Sequence, residues 1–361
     1  MVPIYIGSTK GYSGKSLVSL GIALKIKEDG LKVGYMKPYG KIPVVDNGIL
    51  TDGDVTFIKK TLGLPDPISE LCPVVFSHDL IAEAISGKGK DQLSAVMQAY
   101  KSVSKDKEVM LIGGARDLHD GTMIGISGMK LVKEMDARVI IVDPFEGDAC
   151  LDCILAVKDA LGERLIGVVL NRVHQDGMDY LRTMVSPFLE RHGIALLGLL
   201  PSDKLLNSIT IRQLSDALGG SVLCCEDRME ELVENFSIGA MDVDSAIKYF
   251  RRIPNKAVIT GGHRSDIQLA ALETSTKCIV LTGDLLPNSL IISKAKLSGV
   301  PLVTVKHDTL TTVEILEGML GKARIREEVK VARAKQLMDA YFDYGQLYRK
   351  AGIKPVKGNA G

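Results

Sequence analysis

The chain has 361 residues and a net charge of +1, with 46% hydrophobic and 25% charged residues, the balance of a globular protein large enough for two domains. That charge removes the bulk electrostatic case for nucleic acid or an anionic membrane, and 5% aromatics with no Trp leave no base-stacking platform. The longest apolar stretches, such as 137–142 and 166–170, are strand-length and too short to cross a bilayer, so no nucleic-acid or membrane partner is expected.

The N-terminus enters a strand pattern directly, without a signal-peptide layout, and the expected compartment is the cytoplasm. Six cysteines in that setting read as reduced structural thiols. Cys150-Leu151-Asp152-Cys153 has redox-motif spacing but no second pair for zinc, and the adjacent Cys224-Cys225 are poor partners for one another.

Residues 2–6 read as a buried strand and 16–28 as a helix, joined through Lys10-Gly11-Tyr12-Ser13-Gly14-Lys15-Ser16. A strand, a glycine loop ending in Gly-Lys-Ser and a helix make a phosphate cradle. Gly11, Gly14, Lys15, Ser16 and Leu17 form the expected nucleotide-binding set: backbone N–H groups face the anion, Lys15 neutralises it and the Ser16 hydroxyl reaches Mg²⁺. Strict spacing asks for glycine at position 9, where this chain has Thr9, so the loop is a variant carrying a second lysine, Lys10.

The strand 32–37 ends at Lys37-Pro38-Tyr39-Gly40, which either projects Lys37 towards the phosphates or leaves it solvated before a turn. In Thr51-Asp52-Gly53-Asp54, an acid either caps the helix that runs through Leu62 or supplies a Mg²⁺ ligand, and Asp54 is the expected ligand beside Ser16. The strand 108–112 leads into Gly113-Gly114-Ala115-Arg116-Asp117, where an acid facing the metal would be usual. Either Asp117 or Asp120 substitutes for it, or the site binds nucleotide without efficient chemistry. Further strands at 137–142, 165–170 and 194–199 alternate with helices at 92–104, 127–135, 148–161 and 178–192. The fold class is therefore α/β, with a doubly wound, mostly parallel sheet and ligands beyond the strand carboxyl ends. Asn171, ending the fifth strand, is either a purine contact or a turn former.

After Gly198-Leu199-Leu200-Pro201-Ser202-Asp203, a second α/β set follows: helices 210–218, 243–250, 265–272 and 289–297, with strands 221–223, 256–260, 278–281 and 301–305. Its turn Gly261-Gly262-His263-Arg264-Ser265-Asp266 is either a small-ligand pocket or a capped turn with a structural Arg. Residues 322–350 read as a terminal amphipathic helix with Val331, Ala334, Leu337, Met338, Tyr341 and Phe342 on one stripe, expected to pack on the second domain or to reach a partner. The residues from Lys354 on have the composition of a loose tail.

The motif at 10–16, Lys37-Pro38, Asp54 and the segments 168–171 and 199–203 together resemble the dethiobiotin synthetase and cobyrinate amidase branch of P-loop proteins. The turn at 261–266 resembles the DRTGG signature, and the order of the two is similar to the N-terminal region of long phosphate acetyltransferases, over about residues 1–320. The resemblance implies a P-loop domain at 1–204, a smaller α/β DRTGG domain at 206–320, and a C-terminal helix and tail at 322–361. It implies ATP or GTP with Mg²⁺, held by Lys15 and Ser16, and a purine-contacting Asn171. Lys10 matches a lysine that reaches phosphates across a dimer interface, which implies a homo-oligomer. Lys37 matches the lysine near a substrate carboxylate or carbamate, so Lys10, Lys15 and Lys37 form the catalytic set.

Three departures are informative: Gly113 replaces a metal-binding glutamate, Tyr12 stands at a usual glycine, and His263 replaces the DRTGG aspartate. No acetyltransferase catalytic domain is expected within 322–361. The leading expectation is a nucleotide-binding regulatory protein with weak or no ATPase activity, whose second domain senses a small effector or docks an acetyltransferase or other protein. The rivals are an ATP-dependent ligase or amidase, and a structural subunit of an acetyltransferase complex.

Overall fold

Strands buried on both faces need a helical layer on each side. Such strands form two separate sheets in the computed structural model, which describes residues 1–319 and 325–354. The chain divides into two compact units, one built on Met1–Ser202 and joined again from Ile325, the other beginning at Asp203.

The first unit contains β1 (Val2–Gly7), β2 (Val33–Met36), β3 (Val109–Gly113), β4 (Arg138–Pro144), β5 (Leu165–Val173) and β6 (Leu196–Pro201). All pair in parallel, in the order β6-β5-β4-β1-β3-β2. The helices α1 (Lys15–Glu28), α2 (Gly53–Leu62), α3 (Gln92–Val103), α4 (Gly128–Glu134) and α5 (Ala149–Leu161) fall between strands. The order reverses at β1, whose neighbours are β3 and β4, and this opens a crevice at the strand carboxyl ends. Register brings those ends level, with Ile6 beside Gly113 and Gly7 beside Ile141.

A hairpin, Pro43–Asp46 with Ile49–Asp52, lies outside the strand pattern read from the sequence. Asn47 and Gly48 turn it with φ of 48° and 79°, the left-handed pair that a two-residue hairpin loop demands. Its return strand ends at Asp52 and so delivers that residue to the N-cap of α2. The helix expected over 178–192 is instead three pieces, with a wide π-type turn at Leu181–Val185 just before Pro187, which has no N–H to give.

The second unit contains β7 (Ser221–Cys224), β8 (Asn235–Ile238), β9 (Lys256–Gly261), β10 (Thr276–Thr282) and β11 (Leu302–Thr304), in the order β7-β11-β10-β9-β8. Only β7 runs antiparallel. The helices α6 (Val243–Arg252), α7 (Ser265–Leu272), α8 (Ser289–Ser298) and α9 (Thr309–Met319) complete it. Two apolar layers lie on its faces, one around Phe250, Ile267 and Ile291, the other around Ile211, Leu214 and Leu316.

The terminal amphipathic pattern forms two helices, α10 (Glu328–Tyr341) and α11 (Tyr344–Ala351), and they pack on the first unit, not the second. Steric fit explains this: Met338 lies over Gly21 of α1, where any side chain would collide with it. Phe342 bridges Gly198 of β6, the Asp343 N–H donates to the Leu197 carbonyl at 2.7 Å, and the Tyr348 hydroxyl donates to Asp29 at 2.6 Å. Leu337, Met338 and Leu347 are buried there, each contributing about 1.5–3 kcal/mol. The boundary placed at 320–322 and the tail beyond Lys354 lie outside the described residues. Among the described residues, no helix is long and apolar enough to cross a membrane.

Candidate functional site

The loop after β1 is shaped by two left-handed residues. Gly14 has φ 99°, and the Asn171 amide occupies the space a side chain there would need, so only glycine fits. Tyr12 has φ 56°, a conformation that glycine adopts without strain, and its ring stands 54% exposed above the loop. A side chain at Gly11 would meet Cγ of Arg116 at 2.8 Å. Gly14 caps α1 without a side chain and the first turn carries no acid, so its N–H groups are left for an anion.

Thr9, where strict spacing would have glycine, has a definite task. Its N–H and hydroxyl donate to the Asp143 carboxylate at 3.0 and 2.7 Å, tying the loop to the end of β4. Asp143 is fully buried, and burial holds its carboxyl above the usual range although the Thr9 bonds oppose this. Sequence reasoning missed Asp143 by ending its strand at 142; the signal was an acid closing an apolar run.

A charged cluster lies beside the loop. The Lys15 ammonium donates to the Ser8 hydroxyl at 2.6 Å and the Arg116 carbonyl at 3.0 Å. Burial, then repulsion from Lys37, lowers its pKa to about 8. Lys37 is 5% exposed and bridges Asp52 and Asp54, both at 2.9 Å. Burial alone would lower the Lys37 pKa, but the two carboxylates outweigh it and the net shift is upward. Asp52 also accepts the N–H groups of Lys41, Ile42 and Asp54, so it caps α2 while balancing Lys37. The Ser16 hydroxyl lies 3.2 Å from Asp54 Oδ2. One hydroxyl and one carboxylate oxygen converging there fit Mg²⁺, which takes few protein ligands alongside phosphates.

The other expected residues are placed as follows. Lys10 pairs with Glu146 of its own chain at 2.7 Å. Asn171 donates its amide to the Ser13 carbonyl at 2.9 Å and accepts from the Arg172 N–H, bonds that support the loop. Asp117 accepts the N–H groups of His119 and Asp120, while Asp120 pairs with Lys41 at 3.3 Å; both acids are engaged in building their own turn. The position of Gly113 is taken up by Tyr35, whose hydroxyl lies 2.5 Å from where a Cβ at 113 would be.

In the second unit, the 261–266 turn is held by its own bonds. Arg264 grips Asp266 through two contacts of 3.0 and 2.9 Å and donates to the Met241 carbonyl. The buried Gln268 donates to the Gly261 and Gly262 carbonyls, and Ser265 accepts from Asn288. A side chain at Gly262 would run into the Leu285 backbone, while His263 folds its ring against Gly261. A cavity of about 510 Å³ in this unit is lined by Phe236, Ile238, Arg252 and Leu316 among others, and by none of the six turn residues.

Residues 3–210 match the AAA domain family and residues 213–319 match the DRTGG domain. The phosphate acetyltransferase of Pseudomonas aeruginosa is 24% identical over 378 residues, covering 98% of this chain and 52% of its own length. The chain thus spans about half the length of that relative. The ATP-dependent dethiobiotin synthetase BioD of Nitrosopumilus maritimus is 21% identical over 220 residues, 59% of this chain and 95% of the enzyme. Among solved structures, the CBS and DRTGG domains of Clostridium perfringens pyrophosphatase, in complex with diadenosine tetraphosphate, match at 17% identity with a TM-score of 0.29. That match covers 45% of this chain and 78% of the other.

Proposed function

The chain belongs to the AAA domain family through residues 3–210, and from that membership we propose a nucleotide-binding regulatory protein that grips a nucleoside triphosphate with Mg²⁺ and turns it over weakly or not at all. One observation carries the reading: Ser16 and Asp54 converge within 3.2 Å beside the uncapped start of α1, while no carboxylate extends from Gly113. Lys15 holds the phosphates, and an arriving anion offsets the desolvation that depresses its pKa. Asn171 and Thr9 keep the loop in shape. A bound Mg²⁺ would neutralise phosphate charge. The second unit reads the occupied state or takes a small effector. Lys10 reaches a neighbouring protomer's phosphates only if its pair with Glu146 opens.

Calorimetry with Mg²⁺ and ATP or GTP, beside a phosphate-release assay, tests this. Binding with negligible turnover is expected. Failure to bind either nucleotide, or rapid hydrolysis, would overturn it.

A second reading has its own support, since dethiobiotin synthetase aligns over 95% of its length. In an ATP-dependent ligase, Lys37 would position a carboxylate or carbamate for phosphorylation. Asp52 and Asp54 already occupy Lys37, which argues against that role. ADP release that depends on an added acid and disappears in Lys37→Ala would favour it. Nucleotide-independent capture of an acetyltransferase core would instead favour a structural subunit.

A further inference from the structure

Tyr35 belongs to no motif, yet it stands where the site is most unusual. It is 2% exposed on β2, and its hydroxyl has no hydrogen-bond partner among the described residues. A phenol hydroxyl that bonds no described protein group and is not sealed from solvent is left to donate to water or to a ligand. The tip of the ring fills the volume that a side chain at Gly113 would take, with a Cβ there 2.5 Å from Oη and 3.1 Å from Cζ. Tyr35 and Lys37 are two residues apart on an extended run and so project to one side of it. On that side Lys37 holds Asp54, the same carboxylate that receives the Ser16 hydroxyl. Burial, then the charges of Asp54 and Asp52, keeps the phenol protonated, so towards an anion it acts only as a donor.

We propose that the Tyr35 hydroxyl donates a hydrogen bond to the terminal phosphate of a bound nucleoside triphosphate, from the space left by Gly113, and so selects triphosphate over diphosphate. The inference rests on the nucleotide-binding reading above. It deepens that reading through the sign of the group: a neutral donor attracts phosphate oxygen, whereas a carboxylate in the same space would repel it unless a metal intervened. The phenol thus adds to binding and supplies no base.

The test is calorimetry on the full chain with Mg²⁺, comparing ADP with the non-hydrolysable β,γ-imido analogue of ATP. Tyr35→Phe removes the hydroxyl and keeps the ring. Its affinity for the analogue is expected to fall about tenfold, the worth of one hydrogen bond to a charged group, with ADP affinity unchanged. Gly113→Ala, which displaces the phenol tip while leaving Tyr35 in the chain, should show the same selective loss. Thermal unfolding verifies that each variant is folded. If wild type binds both nucleotides and Tyr35→Phe lowers both equally or neither, the role assigned to Tyr35 is overturned and the nucleotide reading stands. If wild type binds neither nucleotide, both fall together.

Discussion

The carboxyl ends of the first sheet gather Lys15, Lys37, Asp52, Asp54 and Asp143 around one loop, whereas those of the second carry Thr260, Thr282 and Gln268, bonded mainly to backbone carbonyls. Both sheets are largely parallel. Their buried lysines show the contrast most sharply. Lys37 has two carboxylates and its pKa rises; Lys256 is fully buried, donates to the Thr274 hydroxyl and the Ser275 carbonyl and lies 5.5 Å from the centre of the Phe250 ring, and burial lowers its pKa to about 8. Lys37 follows the carboxyl end of β2, while Lys256 opens β9 at the end away from the turn. Counter-charge is present where a ligand is expected and missing where the lysine only fills the fold.

Four substitutions can break or sharpen this contrast. The largest effect is expected from Asp52→Ala, which leaves Lys37 half-paired and removes the cap of α2. A loss of about 3–5 kcal/mol, measured by chemical denaturation, is expected from breaking a buried ion pair. Lys15→Ala should weaken Mg²⁺-nucleotide binding by about 100-fold in calorimetry, through loss of charge-assisted bonds to phosphate. A smaller, pH-dependent effect belongs to Lys256. Its folded pKa, about 8, lies below the ordinary 10.5, so below pH 8 both states hold the proton and the buried charge is fully unfavourable. Between those values the unfolded chain keeps a proton that the folded chain has released, and stability rises with pH. Lys256→Met should be more stable than wild type near neutral pH and lack that rise; equal pH slopes in urea denaturation would refute the assignment. Arg264→Ala should change least, leaving nucleotide affinity untouched, because its guanidinium serves Asp266 and the Met241 carbonyl in its own turn.

The six strands of the first sheet were legible because Val, Ile and Leu on both faces leave no other economical placement. The helix 265–272 was legible to the residue, since a glycine turn opens it. The loop lysines were visible from spacing alone. Less visible was what each charged residue touches. Asp52 and Asp54 read as acids on a turn, but their joint hold on Lys37 depends on a hairpin whose strands are too short and exposed to leave a pattern. Tyr35 reads as one more apolar strand residue, and only the missing side chain at Gly113 gives it a place to act. Except at Tyr341, which is exposed, the terminal stripe marked the buried face but carried no address for its partner; Gly21, more than three hundred residues earlier, supplies that address as a gap.

The seat of Met338 over Gly21 bears on how the protein is made. Synthesis delivers β1, the loop after it and α1 well before the residues that cover α1 and bond the Leu197 carbonyl, with the second unit made in between. Throughout translation of the second unit, the nascent first unit carries an uncovered apolar strip on the helix that begins at Lys15. A fragment stopped at Ser202 would carry it permanently. The first unit is thus completed only by residues made after the second.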